Sequence, residues 1–276
     1  MNTTLELGTN IEIENAKREL EALRDEYAKL LAEYDELTGA VRRNLETEYM
    51  MRIGRLEYRL FLLQIRAQQL KREISLYQAA KNRRETISSD EVAKIIDLEF
   101  AEYRAKLAEQ QEKIRKAEEH HFCPKLSAAD TKALRALYHD MVRKLHPDLN
   151  RNLPKEAKQL WVRIVAAYKD SDWQELNILA DMVYDLLDGR RPIDDASSRL
   201  DQVLAEKRRI AAKVDELHGR IGELQKLPPY SYRALLRDEE AVNTKRRELK
   251  ELRRRYEKYI AELTAIRDDL CGGKNA

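Results

Sequence analysis

Apolar residues recur at alternating gaps of three and four along much of this chain. One stretch covers residues 13–37 and resumes over residues 49–77, after a change of register near Gly39. The spacing is typical of a coiled-coil seam. Glycine lowers helix preference by about 1 kcal/mol relative to alanine, so the pattern predicts a long helix with a bend at Gly39.

A second seam covers residues 92–117, beyond a short polar segment. Ser88, followed three residues later by Glu91, is a capping-box signature for the start of this helix. Because the connection is short, we expect the second helix to fold back on the first. Residues 1–121 would then form an antiparallel coiled-coil hairpin.

The C-terminal part repeats this plan. A seam over residues 200–224 is followed by Pro228 and Pro229, which cannot continue a helix, and a further seam covers residues 235–270. We therefore predict a second coiled-coil hairpin in residues 191–276.

Composition agrees with long helices. Of the 276 residues, 37% are charged, and there are only 8 Gly and 6 Pro. The net charge of +2 gives no general reason for a nucleic-acid or membrane partner. Cys123 and Cys271 form no disulfide framework, and no run approaches the roughly 18 apolar residues of a membrane span. A soluble, cytoplasmic protein is expected.

Residues 122–190 have a different sequence pattern, because the heptads disappear and both tryptophans occur here. We predict a small helical domain between the hairpins, and the predicted fold class is all-α. Residues 127–170 carry nine Lys and Arg against five Asp and Glu, a local charge of +4. The basicity of the chain is concentrated in this domain.

The first helix of this domain has an apolar side that should pack inward and a basic side. The inward set is Leu134, Leu137, Tyr138, Met141, Val142 and Leu145. The basic stripe is Lys132, Arg135, His139, Arg143 and His146. Asp140 and Lys144 can pair on a third face.

Pro147 disfavours helical geometry at His146, so His146, Pro147 and Asp148 are expected to form a protruding corner at the end of the helix. The simpler interpretation is that the basic stripe is a solvated face and that the proline merely ends the helix.

The stretch YHDMVRKLHPDLN resembles the second helix and His-Pro-Asp loop of a J domain, the module by which DnaJ-type co-chaperones engage seventy-kilodalton heat-shock chaperones of the DnaK class. The resemblance covers roughly residues 126–170. It continues into LWVRIVAAYKD, where Trp161, Ile164 and the Ala167-Tyr168 pair stand where the family's third helix carries an aromatic, an aliphatic and an Ala-Tyr pair.

The resemblance has departures. His139 and Asp140 stand where the family commonly has two basic residues. The family's first helix is not apparent, so either the end of the preceding coiled-coil arm replaces it or the domain is abbreviated. Neither a glycine- and phenylalanine-rich linker nor a cysteine-rich zinc region is present, so the chain resembles the minimal class that shares only the J domain.

The resemblance implies a co-chaperone, and not an enzyme, that binds a DnaK-type chaperone and stimulates its ATPase. The implied partner-binding residues are Lys132, Arg135, Arg143, Lys144, His146, Pro147 and Asp148. The coiled coils would recognise an unknown client or site. No cofactor is implied, and a homodimer through the coiled coils is one option.

Three other interpretations stay open. The chain could be a coiled-coil scaffold with a degenerate J-like domain. Residues 245–258 carry eight basic and three acidic residues and could contact nucleic acid, although a solvated coiled-coil face is the simpler explanation. A zinc site at His120, His121 and Cys123 would lack a fourth ligand at a recognisable spacing, so no metal is expected.

Overall fold

The computed structural model describes residues 2–123, 126–187 and 200–272, and its secondary structure there is entirely helical. The all-α class predicted from the sequence is confirmed. The helices are α1 (Asn2–Glu36), α2 (Arg42–Tyr49), α3 (Arg55–Arg83), α4 (Ser89–Glu99), α5 (Ala101–His121), α6 (Ala128–Leu145), α7 (Lys155–Asp170), α8 (Trp173–Leu187), α9 (Leu200–Lys226), α10 (Arg233–Arg237) and α11 (Glu239–Gly272). None of these described helices combines the length and apolarity needed to cross a bilayer.

By internal contacts the chain divides into two compact units. The first draws on Met1–Arg43 and Pro124–Ser231, and the second on Asn44–Cys123 and Tyr232–Ala276. Each unit therefore combines segments that lie far apart in sequence. The division into three consecutive segments stays a prediction.

The most extensive helix pairing of the first unit joins α1 to α9, and that of the second joins α3 to α11. The seam residues are buried as expected, including Leu20, Leu30, Ile210 and Leu217. The arrangement of two hairpins flanking a domain is nevertheless not confirmed. The heptads identify an apolar stripe on each helix, but many such stripes can cover one another equally well.

Helices α6, α7 and α8 pack together with α1 around the core of the first unit. The core residues are Ala28, Ala32, Leu134, Tyr138, Met141, Val142, Leu145, Ala157, Leu160, Ile164, Ala167, Tyr168, Leu176, Leu179, Ala180 and Val183. The inward side predicted for α6 is thereby confirmed. Helix α1 packs on α6 and α7 together with α8, whereas α5, the coiled-coil arm preceding α6 in sequence, belongs to the second unit.

The bend predicted at Gly39 is confirmed. Residues Leu37–Val41 form a π-helical turn in which Gly39 has a non-helical backbone (φ −101°, ψ −108°). A Cβ atom at Gly39 would lie 2.9 Å from the Cα of Lys169, which is closer than side chains normally approach. Glycine thus permits the close approach of this turn to the end of α7.

The second unit contains the fold-back predicted for the N-terminal segment. Helices α4 and α5 fold back on α3, where Val92, Ile96 and Phe100 pack with Ile65. The capping box is present, since the Ser88 side chain accepts from the Glu91 backbone N–H and the Glu91 carboxylate accepts from Ser88. The fold-back predicted after the polar segment is therefore found.

Candidate functional site

The His-Pro-Asp loop, residues 146–148, is positioned by α6. This helix is capped by Ser127, whose Oγ accepts a hydrogen bond of 3.1 Å from the Asp130 N–H. It ends at Leu145 because Pro147 disfavours helical geometry at the preceding residue, and His146 is extended (φ −65°, ψ 129°).

The direction of α7 relative to α6 follows from three ring contacts. Tyr138 stacks on Tyr168 with ring centroids 3.8 Å apart and on Trp161 at 5.8 Å. His146 follows Tyr138 in the sequence, whereas Trp161 precedes Tyr168. The rings of His146 and Trp161 are also in contact, with centroids 5.3 Å apart. The two helices are therefore antiparallel, and the loop lies at the connection between them.

Hydrogen bonds within the chain segment hold the loop. The Asp148 N–H donates to Nδ1 of His146 at 3.1 Å. In the neutral imidazole Nδ1 is then the acceptor and Nε2 carries the proton. The side-chain amide of Asn150 donates to the Arg143 carbonyl at 2.7 Å. These two hydrogen bonds come from residues 143–150 alone and hold part of the loop backbone locally.

His146 lies between two aromatic side chains. Its ring meets Tyr27 of α1 edge-on at 5.4 Å and Trp161 of α7 at 5.3 Å. Burial lowers the pKa of His146 below its ordinary value of 6.5, and this effect outweighs the opposing influence of the Asp148 charge. The imidazole is therefore neutral at pH 7.

Asp148 is surrounded by a phenol and two cationic side chains. The Tyr27 hydroxyl donates to Asp148 Oδ2 at 2.9 Å. Arg209 Nη1 lies 3.8 Å from Oδ1 and Lys213 Nζ lies 3.7 Å from Oδ2. Arg209 also donates to the Asp148 carbonyl. Both cations come from α9, four residues apart and so on one face of that helix.

The protruding corner expected from the sequence is found only at Pro147, which is exposed. His146 and Asp148 are half-buried. The expectation is wrong for these two side chains because Tyr27 of α1, which is remote in sequence, covers both of them, together with Trp161 of α7 at His146 and with α9 at Asp148.

His139 and Arg143, in the C-terminal half of the basic stripe on α6, face acidic residues of α1. Arg143 donates 3.0 Å hydrogen bonds to Asp25 Oδ1 and to Glu21 Oε2. His139 Nε2 lies 3.4 Å from Asp25 Oδ1, at ion-pair distance but without hydrogen-bond geometry. The pKa of Asp25 is lowered by Lys29 first, and also by Arg143. This part of the stripe is therefore already paired within the chain.

Lys132 and Arg135, in the N-terminal half of the stripe, are more exposed to solvent. Arg135 donates to Glu36 of α1, yet its side chain remains 56% exposed. Lys132 is exposed. These two residues therefore stay accessible to solvent.

The pair predicted between Asp140 and Lys144 is confirmed, with 2.5 Å between Lys144 Nζ and Asp140 Oδ2. Tyr184 of α8 also donates to Asp140 at 2.8 Å. Burial and this carboxylate raise the pKa of Tyr184 to about 12. Lys144 is thus tied to α8 and points away from the basic stripe.

A cavity of about 200 Å³ adjoins the loop and is lined by Tyr27, Asp35, His146, Asp148, Lys213 and Glu216 among others. Sequence reasoning missed Tyr27, Arg209 and Lys213 as parts of this site. Tyr27 was visible only as a seam residue, and the two cations directly precede the seam residues Ile210 and Val214. Their spacing of four was the one signal of a shared basic face.

Two further sequence candidates lie elsewhere. Among the residues that the structure describes, no group of three or more His, Cys, Asp or Glu is arranged to hold a metal ion. Within residues 245–258, Leu249 is buried and Tyr256 packs against its cluster, as a coiled-coil seam requires. Contact of this segment with nucleic acid stays a prediction.

No protein-family model matches this chain, and no curated protein or solved structure matches it either.

Proposed function

We propose that this chain is a J-domain co-chaperone that binds a DnaK-type seventy-kilodalton chaperone and stimulates its ATPase. The observation that carries the proposal is the antiparallel α6–α7 pair with His146, Pro147 and Asp148 at its connection. The stacked Tyr138, Tyr168 and Trp161 rings support a fixed geometry for that loop. The resemblance to the J domain rests on the same residues.

The basic side chains of α6 would supply the encounter with an acidic face on the chaperone. Lys132 and Arg135 are the most accessible of them, and complementary charge accelerates association. Arg143 would contribute after exchanging its α1 partners for those of the chaperone. Lys144 is held beside Asp140 and would contribute least.

The loop would then act on the chaperone by differential binding. A partner that carries no reacting group can raise a hydrolysis rate only by binding the hydrolysis-competent state more tightly than the resting state. Asp148 would make the charge contact and His146 would donate a hydrogen bond from Nε2. Exposed Pro147 would hold the corner. The paired long helices would recognise the client or the site of action.

The test is steady-state ATPase of a DnaK-type chaperone at saturating concentrations of this chain. We expect stimulation by the unmodified chain and by Asn152→Ala, an exposed change in the connection between α6 and α7, and loss of stimulation with His146→Gln. Circular dichroism checks that each variant is folded. Stimulation that is absent, or equal for all three proteins, overturns the proposal.

A second candidate function is a scaffold of paired helices, with the loop acting as a structural joint. The observation that favours it is the binding of Asp148 by Tyr27, Arg209 and Lys213 of its own chain. For a scaffold, Asp148→Asn would destabilise the first unit by about 1 kcal/mol, and no protein in the series would alter the chaperone's ATPase.

A further inference from the structure

We propose that α9 is an autoinhibitory element, in which Arg209 and Lys213 hold Asp148 in a closed contact that a DnaK-type chaperone must displace. This inference rests on the proposed function and adds its regulation. The term closed contact denotes the interactions of Arg209 and Lys213 with Asp148.

The closed contact occupies the group that the chaperone would need. Oδ2 of Asp148 receives the Tyr27 hydroxyl at 2.9 Å, and the two cations lie within 3.8 Å of its carboxylate oxygens. A cation of the chaperone would therefore compete with two cations already in place. The apparent affinity for the chaperone is then reduced in proportion to the fraction of chains in which Asp148 is released.

The contact with α9 is built to open, unlike the contact with α1. Ala28 and Ala32 of α1 are buried in the apolar core with α6 and α7, so α1 stays packed. The contacts of Arg209 and Lys213 with Asp148 are polar, and their side chains are 25% and 40% exposed. These two side chains can withdraw from Asp148 while Ile210 and Leu217 keep α9 packed, and water can replace the lost partners.

Each of the two cations also contacts an acidic residue of α9 itself. Arg209 donates to Glu206 at 2.6 Å, and Lys213 lies 3.6 Å from Glu216. Opening therefore leaves neither cation without a counter-charge. The closed and open forms differ mainly in the partners of Asp148.

The test compares two variants of α9 that each remove two positive charges. Arg209→Gln with Lys213→Gln removes the closed contact. Arg208→Gln with Lys226→Gln is the matched control, since Arg208 is exposed and pairs with no described residue, and Lys226 pairs with Glu223 in its own helix.

The measured quantity is the concentration that gives half-maximal stimulation of the chaperone's ATPase. We expect the closed-contact variant to lower it about tenfold with the maximum unchanged, and the control to change it by less than about twofold. The direction is diagnostic because loss of positive charge should weaken binding to an acidic partner. An unchanged or raised half-maximal concentration, with stimulation still present, overturns the inference and leaves the proposed function standing.

Amide hydrogen exchange of the loop gives a readout that needs no chaperone. We expect the Asp148 and Leu149 amides to exchange several-fold faster in the closed-contact variant than in the control. Equal exchange overturns the inference. Faster exchange without any stimulation, even at saturation, overturns both proposals and assigns the contact to the scaffold.

Discussion

The change Tyr138→Phe isolates one buried hydrogen bond of the first unit. The Tyr138 hydroxyl donates to Oδ2 of Asp35, a carboxylate only 6% exposed, whose Oδ1 lies 3.0 Å from Lys169 Nζ. Phenylalanine keeps the ring and therefore the 3.8 Å stacking on Tyr168. What is lost is the hydroxyl alone, and Asp35 is left with a vacant, desolvated oxygen.

The expected magnitude follows from the kind of bond. A hydrogen bond to a charged group contributes about 1.5–3 kcal/mol, and Tyr138 is fully buried. We therefore expect the free energy of unfolding to fall by about 2 kcal/mol, with an unchanged dependence on denaturant concentration. Urea denaturation followed by circular dichroism measures both quantities.

The matched control is Tyr184→Phe, because Tyr184 also donates to a carboxylate, Asp140, but is 40% exposed. This control should lose less than about 0.5 kcal/mol. In an Asp35→Ala background the Tyr138→Phe change should lose most of its effect, giving a coupling energy of about 1.5–3 kcal/mol. Equal losses for the two tyrosines, or no coupling with Asp35, would refute the reasoning.

Three further outcomes are expected. Gly39→Ala should destabilise the protein by about 1–3 kcal/mol, because the new Cβ would lie 2.9 Å from the backbone of α7. Gly219→Ala in α9 has nothing within 4 Å of the new Cβ and should stabilise the protein by about 0.5–1 kcal/mol. Thermal unfolding of both variants checks the sign of each change. Ser88→Ala should remove the capping box of α4 and lower stability by about 1 kcal/mol in urea, and a loss below about 0.3 kcal/mol would contradict the assignment. Because the pKa of His146 is lowered in the folded chain, the unfolded chain binds more protons near pH 6, so stability should fall as the pH drops from about 7 to 5.5; urea titrations at several pH values should show a weaker dependence for His146→Gln.

The helices and their buried sides could be predicted from the sequence, and their partners could not. The seam of α1 includes Leu20 and Leu30, which are buried as their spacing indicates. Nothing in that spacing identifies α9 as the covering helix, because a seam of aliphatic residues accepts any other seam of similar length. Lys207, a polar seam residue of α9, pairs with Glu19 of α1, and such pairs help to select a partner.

The features of the candidate site also divide into local ones, which the sequence predicts, and long-range ones, which it does not. The end of α6 at Leu145, its cap at Ser127 and the pair of Asp140 with Lys144 are local, and each follows from residues within four positions. The cover over His146 and Asp148 is not local. Tyr27 lies 121 positions before Asp148 and Arg209 lies 61 positions after it. Local reasoning could place the loop at a corner but could not show that other helices occupy it.

The pairing of α1 with α9 has a consequence for synthesis of the chain. Glu19 and Lys207, which pair across these helices, are 188 positions apart. At about 5–20 residues per second, a ribosome adds Lys207 roughly 10 to 40 s after Glu19. Through that interval the apolar stripe of α1 has emerged without its covering helix. The first unit therefore completes its folding only after most of the chain has been translated, and its earliest helix is exposed to aggregation for longest.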